Sequence, residues 1–175
     1  PVDASLDATW RDLGFEDQDW LASTNGVGYE TGIADPPQVS FTPYLNTSVQ
    51  TAMLNSNSSA YVRLPFLVAD ASVVTTLTLQ ARYDDGFVAY LNGQEIARVN
   101  APDPLAWNSA ATAEHPDTAA VAWESFDVTA SRFFLQTGTN VLALHGLNLA
   151  ANNPDFLMQA VLNESHTATN GPLNR

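Results

Sequence analysis

Apolar and polar residues alternate with a period of two along much of this chain, the spacing of half-buried strands, and the 3.6-residue period of a helix is hard to find. In YVRLPFLVAD, Val62, Leu64, Phe66 and Val68 share a face, and Pro65 marks an edge strand or a bulge. In VVTTLTLQAR, Leu77, Leu79 and Ala81 face one way while Thr76, Thr78, Gln80 and Arg82 face the other. Phe87, Ala89 and Leu91 then alternate with Val88 and Tyr90 until Asn92-Gly93 supplies two residues that tolerate positive φ. That pattern predicts a type I′ hairpin with Gln94 to Val99 as the returning strand. Further strands are predicted near AVAWESFDVT, NVLALHGLN and DFLMQAVL. In the amino-terminal third only Ser40 to Tyr44 has even a weak strand pattern. Many short strands with long loops predict an all-β fold, an antiparallel β-sandwich of jelly-roll type over 1–165, with 166–175 starting a linker.

Composition narrows the partners. Nineteen acids against six bases leave a formal charge of −13, and six scattered bases cannot build the basic stripe that nucleic acid or an anionic membrane surface requires. A neutral ligand, a cation or a basic partner fits better. Cysteine is absent, which removes disulfides, thiolate metal sites and a cysteine nucleophile. At 175 residues the chain is long enough for one domain with a real core. No apolar run reaches the roughly 18 residues of a membrane span. Beginning at Pro1 rather than Met, the chain reads as a piece of a longer protein.

The succession YVRLPF, YDDGFVAYLNGQEIAR, ESFDVT, GTNVLALHGLN and DFLMQAVL resembles the galactose-binding-like jelly rolls, the sugar-binding domains of glycoside hydrolases and carbohydrate-binding modules. The resemblance runs from about Trp10 to Leu162 and rests on fold-building motifs: Tyr61 and Arg63 on the opening strand, the Phe87 to Gly93 hairpin, Asp127-Val128-Thr129, and Gly138-Thr139-Asn140-Val141-Leu142. It implies a non-catalytic polysaccharide-binding module, attached to other domains of the same chain in a secreted bacterial protein and working outside the cell or at its surface. It also implies a structural calcium ion held by one acid near the first strand and one near the last. Asp155 fits the late position, and Asp12, Glu16, Asp17 and Asp19 compete for the early one, with Glu16 and Asp17 carried forward as metal candidates. A structural or adhesion domain is the alternative.

Enzymatic signatures are missing. There is no Gly-x-Ser-x-Gly elbow and no His-Glu-x-x-His, and His145 sits in an apolar strand as a structural histidine would. In an extended backbone adjacent Asp84 and Asp85 point to opposite sides, a geometry in which they cannot flank one glycosidic bond. A sugar site needs an aromatic ring for the C–H face of a pyranose and polar side chains for its hydroxyls. Trp107, beside Asn108 in the long aperiodic loop from Ala101 to Thr118, is one platform, or else the anchor that pins that loop. Trp20 and Tyr29, flanking STNGVG, form a second, and Asp85 and Arg98 are the groups expected to fix hydroxyls at a loop end. Trp10 and Trp123 read as core or sheet-edge residues.

Overall fold

The computed structural model, which describes residues 1–32 and 39–166, is an all-β sandwich of a five-stranded and a four-stranded sheet, as the alternation and the resemblance imply. In chain order the strands are β1 (Val27–Glu30), β2 (Thr47–Ser48), β3 (Ser59–Val68), β4 (Val74–Asp84), β5 (Gly86–Leu91), β6 (Gln94–Val99), β7 (Glu124–Asp127), β8 (Gly138–Leu147) and β9 (Asp155–His166). One sheet runs β2-β1-β9-β4-β7 and the other β3-β8-β5-β6. All pairings are antiparallel except the short one between β1 and β2. Two single-turn helices, α1 (Gln50–Met53) and α2 (Asp117–Ala120), interrupt the loops.

The core lies where the inward faces meet. Leu77, Leu79, Ala81 and Tyr83 of β4 pack with Phe156 and Met158 of β9 against Phe87, Ala89 and Leu91 of β5 and Leu142 and Leu144 of β8. A second apolar cluster covers the outside of the four-stranded sheet, where Trp10 packs on Val88, Tyr90 and Ala143. This cover explains why β5 and β8 are buried on both faces and read as almost unbroken apolar runs.

Motif residues find structural employment. Asn92 and Gly93 sit at φ of +50° and +87°, the two positive values of a type I′ turn. Asn140, fully buried, accepts from Asn92 Nδ2 and the Gln136 N–H through Oδ1, and its amide donates to the Gln136 and Gly138 carbonyls. Asn92 Oδ1 in turn accepts the Val141 N–H at 2.9 Å. Because Asn140→Ala leaves several of these buried groups without partners, a loss of about 1–3 kcal/mol is expected in urea denaturation.

The amino-terminal third departs from the expectation. Ser40 to Tyr44 is not a strand: Thr42–Tyr44 is a single 3₁₀ turn, and the strands are β1 and β2. β1 reads as a turn because it carries Gly28, and that glycine is required by proximity: a Cβ there would sit 2.0 Å from the Phe156 carbonyl oxygen. At the other end His166, expected to open a linker, still pairs with Val74 in β9, and 167–175 lie outside the described residues.

Candidate functional site

One end of the sandwich gathers the junction of β4 with β5, the loop after β6 and the loop before β9. The Asp84–Asp85 peptide is cis, a departure from the extended backbone on which the two acids are expected to point to opposite sides. Asp85 is 1% exposed, and its oxygens are committed to backbone: Oδ1 accepts the His115 N–H at 2.9 Å and Oδ2 the Leu149 N–H at 2.7 Å. It ties two loops to the strand junction and offers no face to a sugar. Asp84, also buried, has an Oδ2 with no partner among the described residues. Burial first, then the charges of Asp85 and Asp155, push its carboxyl strongly upward, toward the neutral form. Asp155 is raised to about 7 by burial and by Asp117, Glu30 and Asp85.

Other residues named from the sequence are equally occupied. Arg98 donates to both oxygens of Glu95 on its own strand, at 2.9 and 2.8 Å, and to the Pro102 carbonyl. It is therefore held away from Asp85, which bonds elsewhere. Tyr29 is a core residue at 1% exposure; its hydroxyl donates to the Asn153 carbonyl and accepts from Asn148. Trp107 is half-buried, with its N–H on Asp7 and its carbonyl taking the Ser59 hydroxyl, and the carbonyl of exposed Asn108 takes the Ser58 hydroxyl. These bonds pin the long loop to the start of β3. His145, 2% exposed, lies edge-on to Tyr61 and Trp10, and burial lowers it to about 3. That is the environment of a neutral structural histidine.

Among the described residues, the acids named for the ion, Asp155, Asp17 and Glu16, do not converge. Asp17 is bonded to Arg63 Nε at 2.8 Å, Glu16 is exposed, and the acids acting on Asp155 are Asp117, Glu30 and Asp85. Among the described residues no three His, Asp or Glu side chains converge to hold a metal.

Trp20 has a different setting. It lines a groove of about 590 Å³ between the free edge of β3, at Tyr61 to Pro65, and the β1–β2 edge of the other sheet, at Val27 and Thr47. That volume suits a small ligand or a few sugar rings. The segment from Asp17 to Ser23 forms the third wall, with Leu21 70% exposed beside the tryptophan. The ring is fixed edge-on to Phe15 at 5.4 Å and nearly parallel to Tyr61 at 6.4 Å. Arg63, its side chain only 5% exposed, anchors the wall by donating to Asp17 and to the carbonyls of Trp10, Asp12 and Phe15. Tyr61 adds a stack on Trp10 at 4.0 Å and a hydroxyl bond to Asp7 at 2.7 Å. The motif pair Tyr61 and Arg63 thus bolts the amino-terminal segment to the sheet. Asp17, Gln18 and Ser23 supply carboxylate, amide and hydroxyl groups along a mostly apolar wall. Sequence reasoning found Trp20 but not its neighbours, because two sheet edges distant in sequence create the groove.

No protein-family model matches the chain, and no curated protein matches it. Partial structural likeness exists to a β-D-mannosidase from Dictyoglomus thermophilum, at 16% identity over 51% of this chain and 9% of the other, with a TM-score of 0.33. An α-L-rhamnosidase from Aspergillus terreus matches at 14% identity, 63% and 13% coverage and a TM-score of 0.39. A calcium-binding mutant of β-glucuronidase 2 from Bacteroides uniformis matches at 14% identity, 87% and 16% coverage and a TM-score of 0.44. The chain spans 9 to 16% of the length of these enzymes.

Proposed function

We propose that this β-sandwich is a non-catalytic carbohydrate-binding module of a larger secreted bacterial protein, and that it holds a neutral polysaccharide in the Trp20 groove. The observation that carries the reading is the groove itself, which sets a braced indole beside unlike polar groups in a concave apolar site. An indole offers a pyranose its C–H contact, and Gln18, Ser23 and Asp17 offer partners for hydroxyls. Function then follows from tethering: even weak contact raises the local concentration of attached domains on the polymer.

Affinity electrophoresis in gels containing mixed-linkage β-glucan, xyloglucan or galactomannan tests this. Retardation of the wild-type domain by at least one polymer is expected, with Trp20→Ala losing at least about tenfold in affinity while keeping its melting temperature, because the ring is a contact residue at a surface groove. Mobility unchanged in every polymer, from a sample with a cooperative melt, would sink the reading and leave a structural or adhesion domain.

A further inference from the structure

Among the described residues, the outer face of the five-stranded sheet is covered on one side only. Phe41 and Ala120 roof Leu157 of β9, and beyond them the β9-β4-β7 portion carries a row of polar side chains. Asn163 Nδ2 donates to Gln80 Oε1 at 3.0 Å, and Gln80 Nε2 donates to Ser125 Oγ at 3.2 Å. At the border Arg82 is clamped between two rings, its guanidinium carbon 4.7 Å from the Tyr44 centroid and 4.5 Å from that of Trp123. Trp123 is 37% exposed.

Arg82 has no carboxylate within 4.0 Å among the described residues, whereas Arg63 and Arg98 each have one. Its only hydrogen bond there runs from Nη1 to Gln159 Oε1, at 3.2 Å, and its Nε is buried without an acceptor. Nη2 has no partner there and is not buried, and with the second N–H of Nη1 it forms the end of a guanidinium that can meet a carboxylate through two parallel bonds. A carboxylate at that end forms charge-assisted bonds, stronger than those the same donors make to a neutral acceptor.

We infer that Arg82, Trp123 and the Gln80 row form a second saccharide site, separate from the Trp20 groove, for a sugar carrying a carboxylate. The uronate carboxylate meets Arg82, the C–H face of the ring lies against Trp123, and the ring hydroxyls reach the amide and hydroxyl groups of Gln80, Asn163 and Ser125. The protein's overall charge of −13 opposes this only weakly, since at physiological salt charges beyond about 8 Å are largely screened. An acidic peptide would use the arginine but leave the indole and the amide row without a matching ring.

Isothermal titration with oligogalacturonate and with the same oligomer after reduction of its carboxyl groups tests the site without any variant. Binding of the native oligomer and at least tenfold weaker binding of the reduced one are expected. Arg82→Gln and Trp123→Ala should each weaken the native oligomer at least tenfold. Equal affinity for native and reduced oligomers, or no binding of either, overturns the proposal, as does tighter binding of hexaglutamate. Retention on neutral polysaccharide reads the groove separately, so either site can fail while the other stands.

Discussion

Asp84→Asn is expected to melt higher than the wild-type domain at pH 9, and the difference should shrink as the pH falls to 6.5. The cause is a carboxyl that folding holds in its neutral form: it is 2% exposed, Oδ2 has no donor among the described residues, and Asp85 and Asp155 lie close enough to repel its charge. A carboxyl raised on folding binds a proton that the unfolded chain releases near pH 4, so the native state loses stability as pH climbs toward the folded value. Asp155, raised to about 7, contributes in the lower part of this window, and Asp84 throughout it. His145, lowered to about 3, acts in the opposite sense, but only below the ordinary histidine value near 6.5. The Pro1 amine, lowered by burial, also opposes the trend, and it cancels between wild type and variant. An asparagine keeps the shape and removes the ionisation, for an expected gain of about 3 kcal/mol at pH 9, or roughly 6–12 °C. Thermal melts in chelator at pH 6.5, 7.5 and 9 read it directly. A wild-type domain that gains stability across this range, or a variant that melts lower at pH 9, would show that the acids are neutralised by something other than a proton.

The sandwich was legible because its long strands announce themselves. β4 alternates cleanly, with Leu77, Leu79 and Ala81 against Thr78, Gln80 and Arg82, and the hairpin carries its turn chemistry in two adjacent residues. β1 was not legible, since a four-residue strand whose second position must be glycine has too little pattern to show. The site was harder still. Asp85 and Arg98 look free on paper, yet the partners that occupy them, the Leu149 N–H and Glu95, depend on loop return and on side-chain reach within a strand. Tyr29 reads as a loop aromatic because the four-residue strand that buries it has so little pattern of its own. Trp20 could be named as an aromatic in a loop, but the groove around it is a meeting of β3 with the β1–β2 edge, and no local pattern encodes that meeting. Arg82 was readable only as an outward residue; its two aromatic neighbours come from Tyr44 and Trp123, one far before it and one far after it in the chain.

Trp10→Ala should cost about 3–5 kcal/mol and abolish glycan retention, whereas Trp20→Ala abolishes retention alone. Trp10 is 2% exposed although it lies outside the strands, and it fills the outer face of the four-stranded sheet against Val88, Tyr90 and Ala143. Its ring stacks on Tyr61 at 4.0 Å and meets Tyr90 edge-on at 5.9 Å, contacts that add to the area it buries. Its carbonyl accepts from Arg63, the same arginine that holds Asp17 and the Phe15 carbonyl on the groove wall. Removing the indole therefore opens a large cavity and releases the segment that presents Trp20. Trp10→Phe keeps an aromatic stack with less volume, so it should fall between wild type and alanine in stability and retain measurable glycan binding. Urea denaturation combined with affinity electrophoresis separates the two effects. If Trp10→Ala unfolds at the wild-type urea midpoint, the amino-terminal segment is an appendage and not a layer of the fold. If it is destabilised yet binds glycan as the wild type does, the binding surface lies away from the wall that Arg63 and Trp10 support.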